Sequence, residues 1–360
     1  MDRRTWLVAT LSAALVPPCS RAAAPAPRVR AGVALRFPRD HGAHPEYRIE
    51  WWYMTGVLRS AERRLYGFQV TFFRSRTQVD PQHPSRFAAS QLLFAHAAVT
   101  DVAAGRLMHD QRLARAGFGV AAAALEDTDV HLRDWQLRRE AVGPHYRAHL
   151  AAHEFTLDLR ADETQPVLLQ GDAGYSRKGP EPEQASYYYS KPQLAVHGEL
   201  SLGGHRQAVQ GRAWLDHEWS EALMHPEAVG WDWIGMNLDD GAALTAFQLR
   251  RRDGTALWAG GSYRAASREA RAFAVHEVRF VPQRWWRSPL TGAHYPVEWW
   301  VETPLGRHRV RARVDAQELD SRASTGAVYW EGLSELLGAD GRRLGHGYLE
   351  MTGYVDRLRL

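Results

Sequence analysis

The sequence predicts an all-β protein made of two antiparallel β-barrels packed together. Three observations carry that expectation. The hydrophobic period is two, Asp-Gly turns separate strand-length segments, and helical signals are few. At roughly 150 residues per domain, a chain of 360 residues has room for two cores.

The segments Glu154 to Arg160 and Arg309 to Asp315 alternate apolar and charged residues, as strands with one face in water do. Asp240-Gly241, Asp253-Gly254 and Asp340-Gly341 supply hairpin turns, so Trp231 to Tyr263 reads as strand, turn, strand, turn, strand. Gly203-Gly204 is a further hairpin turn and not a phosphate cradle. Between Ala114 and Leu125, alanines and glycines fit a short helix as well as a strand. A helix-poor meander of this size must close its sheets or hide their edges, so barrels or sandwiches are expected, with a ligand site in an interior or a seam.

Residues 1–24 read as a signal peptide. Arg3 and Arg4 form a positive n-region, Trp6 to Val16 is apolar, and Ala22-Ala23-Ala24 offers a cleavage site. Arg3-Arg4-Thr5-Trp6-Leu7 is similar to a twin-arginine export signal, so the expected location is periplasmic or secreted. Cys19 is expected to leave with the leader, because Pro17 and Pro18 stand where an acylation site wants small or aliphatic residues. Residues 25–35 read as a linker, 36–222 as an N-terminal barrel and 223–360 as a C-terminal barrel. The boundary is set in the loop where His225-Pro226 interrupts two tryptophan-rich strands.

Composition narrows the function. With 45% hydrophobic and 24% charged residues the chain is globular rather than disordered. A formal charge of +4, spread without a basic run, gives no reason to expect a nucleic-acid partner. One cysteine excludes an internal disulfide or a cysteine metal cluster, and no cofactor signature occurs. Arg138-Arg139 and Arg250-Arg251-Arg252 read as solvated strand ends, and Tyr187-Tyr188-Tyr189 as core and rim. The sequence leaves the oligomeric state open. Peripheral association with a membrane is compatible with an apolar ligand.

Most of the fourteen tryptophans fall in short clusters that mix carboxylates with large aromatics. These are Glu50-Trp51-Trp52-Tyr53, Trp214-Leu215-Asp216-His217-Glu218-Trp219, Gly230-Trp231-Asp232-Trp233, Glu298-Trp299-Trp300 and Tyr329-Trp330-Glu331. On a strand, Trp231 and Trp233 point one way and Asp232 the other. Asp216 shares a face with Trp214 and Glu218, and His217 with Trp219. One reading is structural: indoles fill barrel ends and the acids accept their N–H groups. The other is chemical: a carboxyl group desolvated among aromatics keeps its proton near neutral pH and acts as a general acid, while ring faces stabilise developing positive charge. Protonation of an electron-rich double bond, followed by capture of water, suits such a site. Asp216-His217-Glu218 alternates between faces and so does not converge on a metal ion. No Gly-x-Ser-x-Gly elbow supports a serine hydrolase.

The blocks Glu50-Trp51-Trp52-Tyr53-Met54-Thr55-Gly56, Trp214-Leu215-Asp216-His217-Glu218-Trp219-Ser220 and Gly230-Trp231-Asp232-Trp233 resemble the signature blocks of the AttH-like family. That family includes the bacterial carotenoid 1,2-hydratases of the CrtC type. The resemblance spans Arg36 to Tyr354 and implies two lipocalin-like barrels. For the hydratases it also implies a hydro-lyase activity, water addition to a terminal isoprenoid double bond, with an Asp as proton donor among a Tyr, a Trp and a His. Carried over, these are Tyr53, His217 and Trp219, with Asp232 as the acid and Asp216 as the competing candidate; Trp51, Trp52, Trp231 and Trp233 complete the expected ligand wall. The export leader departs from enzymes that act on carotenoids inside the cell. The resemblance therefore bears on fold and pocket more than on substrate. A non-catalytic periplasmic lipid or isoprenoid carrier is the alternative, and a cyclase-like steering of a polyene is the third.

Overall fold

The computed structural model describes residues 27–358, apart from Pro81, Leu223 and Ser267. The leader at 1–24, with Cys19, lies outside the described residues. The chain is all-β, with two one-turn 3-10 segments, Arg39–His41 and Val275–Glu277, and no α-helix among the described residues. The strands form two antiparallel sheets, one of 13 strands between Ile49 and Ala222 and one of 10 between Gly230 and Met351.

The first sheet has Ile49–Ser60 at its centre, between Leu65–Arg76 and His205–Ala222. Even-numbered Trp52, Met54 and Leu58 point inward with Phe68, Val70 and Phe72, while odd-numbered Tyr53 faces out, as a period of two requires. The far strands of this sheet curl to meet each other. Arg112, on Arg106–Arg115, lies 4.2 Å from the Trp135 ring centre and donates to the Ala151 carbonyl at 2.9 Å. The second sheet encloses Ile234, Met236, Trp299, Trp330 and Leu349. Its terminal strands Ala270–Phe273 and Arg279–Arg287 follow one another through the Val275–Glu277 turn and send Phe273 and Phe280 into the same core.

All three Asp-Gly pairs make the expected turns, with φ of 87° at Gly241, 85° at Gly254 and 78° at Gly341, left-handed values that glycine adopts without cost. The Ala114–Leu125 region carries no helix. Gly117, Phe118 and Gly119 have φ of 102°, 59° and 69°, and three successive left-handed residues end Arg106–Arg115 and start the short strand Ala121–Ala123.

The two barrels meet through their outer faces. Tyr53, Trp214, Trp233, Phe247, Leu333 and Tyr348 form one cluster drawn from both sheets. The approach is close at Gly67, where an added Cβ would stand 2.6 Å from Tyr348 Oη and 2.8 Å from Leu333 Cβ. Buried polar bonds fix the register of this contact. Thr100 Oγ1 donates to Gln317 Oε1 at 2.8 Å, the Gln193 amide to Asn237 Oδ1 at 2.8 Å, and Asn237 Nδ2 to the Ala213 carbonyl at 3.0 Å.

Candidate functional site

A cavity of about 290 Å³ lies in the seam between the barrels. Strand register builds its two walls. On the first barrel, Ser190, Asp216, Tyr53, Thr71 and His96 stand side by side across five strands. Two residues along, Tyr188, Glu218, Trp51, Phe73 and Phe94 form a second row. The facing wall of the second barrel carries Phe247, Trp233, Glu350 and Glu331 in register across Ala243–Arg250, Gly230–Leu238, Arg343–Met351 and Ala327–Leu337. Four carboxyl groups, Asp216, Glu218, Glu331 and Glu350, thus face one largely aromatic chamber.

Their environments differ. Glu218 pairs with Lys178 Nζ at 3.1 Å and accepts from Ser186. Asp216 accepts from Trp214 Nε1 at 2.7 Å, Ser190 Oγ at 2.5 Å and Tyr188 Oη at 2.9 Å. Burial still lifts its pKa to about 7, because these donors are neutral and Glu218 repels the charge. Burial likewise lifts Glu350 to about 7, with Asp216 and Glu218 adding repulsion and Trp231 opposing it. Glu331 goes well above the ordinary glutamate value, through burial first and the Glu350 charge second. Its Oε2 accepts from Gln69 Nε2 at 2.8 Å. Its Oε1 and the Tyr53 hydroxyl make no well-formed hydrogen bond among the described residues, although the residues are only 2% and 6% exposed; each has the other as a polar neighbour. A buried polar atom left unpaired in a cavity wall is costly, and a ligand or water group can satisfy it. Burial and the Glu350 charge therefore favour the protonated form of Glu331, whose carboxyl group lies beside the Tyr53 hydroxyl.

The nine residues singled out from the sequence separate into three places. Trp51, Tyr53, Asp216, Trp231 and Trp233 line the seam cavity. Trp52, His217 and Trp219 point into the first barrel. Trp52 stacks on the His217 ring at 4.7 Å, and His217 and Trp219 are tilted at 4.8 Å. Asp232 points into the second barrel. There Arg250 Nε lies 2.8 Å from Oδ2, Gln248 Nε2 donates at 2.7 Å and Tyr354 Oη at 2.9 Å. Burial raises the pKa of Asp232 against the pull of Arg250. The expectation that Asp232 shares a pocket with Tyr53, His217 and Trp219 thus differs from the structure, because strand alternation turns Asp232 away from Trp231 and Trp233 and turns His217 away from Asp216. Arg250 is correspondingly not a solvated strand end; it is 6% exposed and held by Asp232.

Glu331, Glu350, Lys178 and Tyr188 were not singled out as site residues in the sequence. Glu331 had a signal, since it alternates with Trp330 in an aromatic cluster. Glu350 had none, because it reaches the site only through pairing with Glu331 and Trp233.

One group of His and acidic side chains could hold a metal ion among the described residues: His44, Glu50 and His217. Their atoms already bind one another. Glu50 Oε1 lies 2.8 Å from His44 Nδ1 and 2.9 Å from His217 Nε2, and Oε2 accepts from Arg74 Nε at 2.7 Å. Burial works against the Glu50 carboxylate, yet the two histidines and Arg74 hold its pKa well below the ordinary value. Burial depresses His217 to about 4, so its ring is neutral near pH 7, while bonds to Asp40 and Glu50 outweigh burial and raise His44. With Arg74 supplying positive charge inside the cluster, the arrangement works as an ion-paired plug at one end of the barrel.

Comparison with known proteins adds the following. The sequence profile of the AttH-like family matches residues 28–354. A crystal structure of an AttH protein from Nitrosomonas europaea is similar with a TM-score of 0.85 and 48% identity, over 91% of this chain and 100% of that one. Kievitone hydratase from Nectria haematococca is similar with a TM-score of 0.70 and 15% identity, over 91% of this chain and 95% of that one, a likeness of fold. No curated protein matches the chain in sequence.

Proposed function

The chain belongs to the AttH-like family, and from that premise we propose that its seam cavity takes up an apolar, isoprenoid-like molecule and hydrates a carbon–carbon double bond by acid catalysis. The observation that carries this reading is Glu331, a buried acid whose environment favours its protonated form and which lines an aromatic chamber beside Tyr53. The fold shared with a protein named as a hydratase supports the reaction class.

Glu331 gives its proton to the less substituted carbon of the double bond, and the π pair forms the new C–H bond. The tertiary carbocation left behind lies against Trp51, Trp233 and Tyr53, whose ring faces attract positive charge. Water adds to the cation through an oxygen lone pair. The surplus proton of the resulting oxonium returns to the Glu331 carboxylate, which restores the acid. No other reactant is consumed. This reading moves the acid from Asp232 to the cavity wall, since a donor must lie within hydrogen-bond reach of the carbon it protonates.

Cavity size constrains the substrate. A volume of about 290 Å³ is at the low end of the range of about 300–1,000 Å³ for ligand pockets. It suits a short prenyl compound or the tip of a longer chain rather than a whole carotenoid. The leader extends the proposal to an exported protein, acting on a substrate met outside the cytoplasm.

The test is incubation of the purified protein with a short prenyl alcohol in ¹⁸O-labelled water. Incorporation of one ¹⁸O at the tertiary carbon, lost in Glu331→Gln, supports the proposal. Tight binding without incorporation by the wild-type protein points instead to the carrier.

A further inference from the structure

The seam cavity contains one aromatic–carboxylate set that holds a cation and a second that does not. In the first, Lys178 Nζ stands 4.6 Å from the Tyr188 ring centre and 4.3 Å from that of Phe247, with Glu218 at 3.1 Å. This is an ammonium ion held between two ring faces and a carboxylate. In the second, Trp51, Tyr53 and Trp233 surround Asp216, Glu331 and Glu350. None of these three carboxyls is ion-paired with a cationic side chain among the described residues, whereas Glu218 is paired with Lys178. Glu331 Oε1, in a residue 2% exposed, makes no well-formed hydrogen bond among the described residues and has the Tyr53 hydroxyl as its neighbour.

We propose that the seam cavity is a receptor for organic cations: it binds an ammonium centre carried on a compact apolar frame between Trp51, Tyr53 and Trp233, and binding displaces a proton from the facing carboxyl groups. The inference rests on the hydration reading in taking this cavity as the ligand site, and deepens it, because a carbocation would be the same charge in the same place. Its test uses binding alone.

Proton displacement follows from the crowding of the carboxyl groups. Asp216, Glu331 and Glu350 face one another with Glu218 nearby, and crowding and burial keep protons on them. On the first-barrel wall the neighbours are Tyr53, Tyr188, His96, the Lys178–Glu218 pair and the buried Arg74–Glu50 pair; on the second they are Tyr329 and Tyr348. Burial keeps His96 neutral, its pKa lowered to about 3. A cation entering the site makes ionisation of the nearest carboxyl favourable, and that proton leaves to solvent. Affinity therefore falls as pH drops, by up to about tenfold per pH unit for one displaced proton.

The probes are benzyltrimethylammonium, whose charge is fixed, and its neutral isostere neopentylbenzene. Both are titrated against the full-length protein by quenching of tryptophan fluorescence at pH 6, 7 and 8. Calorimetry of the cation in phosphate and in Tris counts the protons released. The expected results are roughly tenfold or greater preference for the cation at pH 8, a preference that shrinks toward pH 6, and net proton release near pH 6.5. Glu331→Gln with Glu350→Gln reduces both preference and release, and the wild-type release stands as evidence should that double variant not fold. Equal affinity for the two probes, no binding of the cation, or affinity independent of pH overturns the proposal. Hydration activity without cation preference sinks this inference and leaves the hydration reading standing. Cation preference without ¹⁸O incorporation does the reverse.

Discussion

Glu331 and Glu350 stand directly opposite each other on neighbouring antiparallel strands, both turned toward the seam cavity. Side chains so paired have Cβ atoms roughly 4.5–5.5 Å apart, and two ionised carboxylates at that spacing inside a protein repel strongly. Burial and this repulsion both favour the protonated form.

A pH dependence of stability follows. The folded-state pKa of Glu350 is raised from 4.5 to about 7, so the folded protein holds the proton more tightly than the unfolded chain. The stability this gives is fully present below the unfolded value and is lost as pH rises through the folded one, by on the order of 3 kcal/mol. Urea unfolding of wild type and Glu350→Gln between about pH 4 and pH 8 checks it. The variant should gain steadily on the wild type as pH rises, whereas a constant difference would show that no proton is held there.

Asp232→Asn should leave cavity binding and turnover close to wild type, because Asp232 faces the second barrel's interior with Arg250, Gln248 and Tyr354. Its cost is to stability, about 1–3 kcal/mol from the altered pairing of Arg250. Ligand titration and urea unfolding together check this. Loss of turnover with unchanged stability would restore Asp232 as the acid.

Arg74→Ala should be among the most damaging substitutions in the first barrel. Arg74 donates to Glu50 Oε2 at 2.7 Å, to the His44 carbonyl at 2.7 Å and to Gln91 Oε1 at 2.6 Å. Its removal strips a fully buried carboxylate of its one permanent cation among the described residues, a loss of about 3–5 kcal/mol. Thermal unfolding of the variant measures it.

Gly67→Val tests the seam itself. Even a Cβ at Gly67 would meet Tyr348 Oη at 2.6 Å and Leu333 Cβ at 2.8 Å, so valine must push the barrels apart or shift both residues. Overpacking of this kind costs about 1–3 kcal/mol. Since Gly67 does not line the cavity, weaker ligand binding by this variant would report that the cavity depends on how the barrels are docked.

The strand period and the Asp-Gly hairpins were legible in the sequence, because each depends on local geometry. Alternation also separated Asp216 from His217 and Trp231 from Asp232. The misplaced residues came from grouping Asp232, His217, Trp219 and Tyr53 in one pocket, a matter of which face of each strand meets the other barrel. Period two says that two faces differ; it does not say which one faces the seam. Glu350 was invisible for a related reason, since cross-strand pairing with Glu331 joins residues whose sequence neighbours say nothing of each other. Arg250 looked solvated because its partner, Asp232, belongs to the preceding strand.

The most direct measurement is infrared difference spectroscopy of the wild type against Glu331→Gln in the carboxyl C=O stretching region at neutral pH. The account predicts that a band of a protonated carboxylic acid, present in the wild type, disappears in the variant. A difference spectrum showing only the loss of an ionised carboxylate would contradict it.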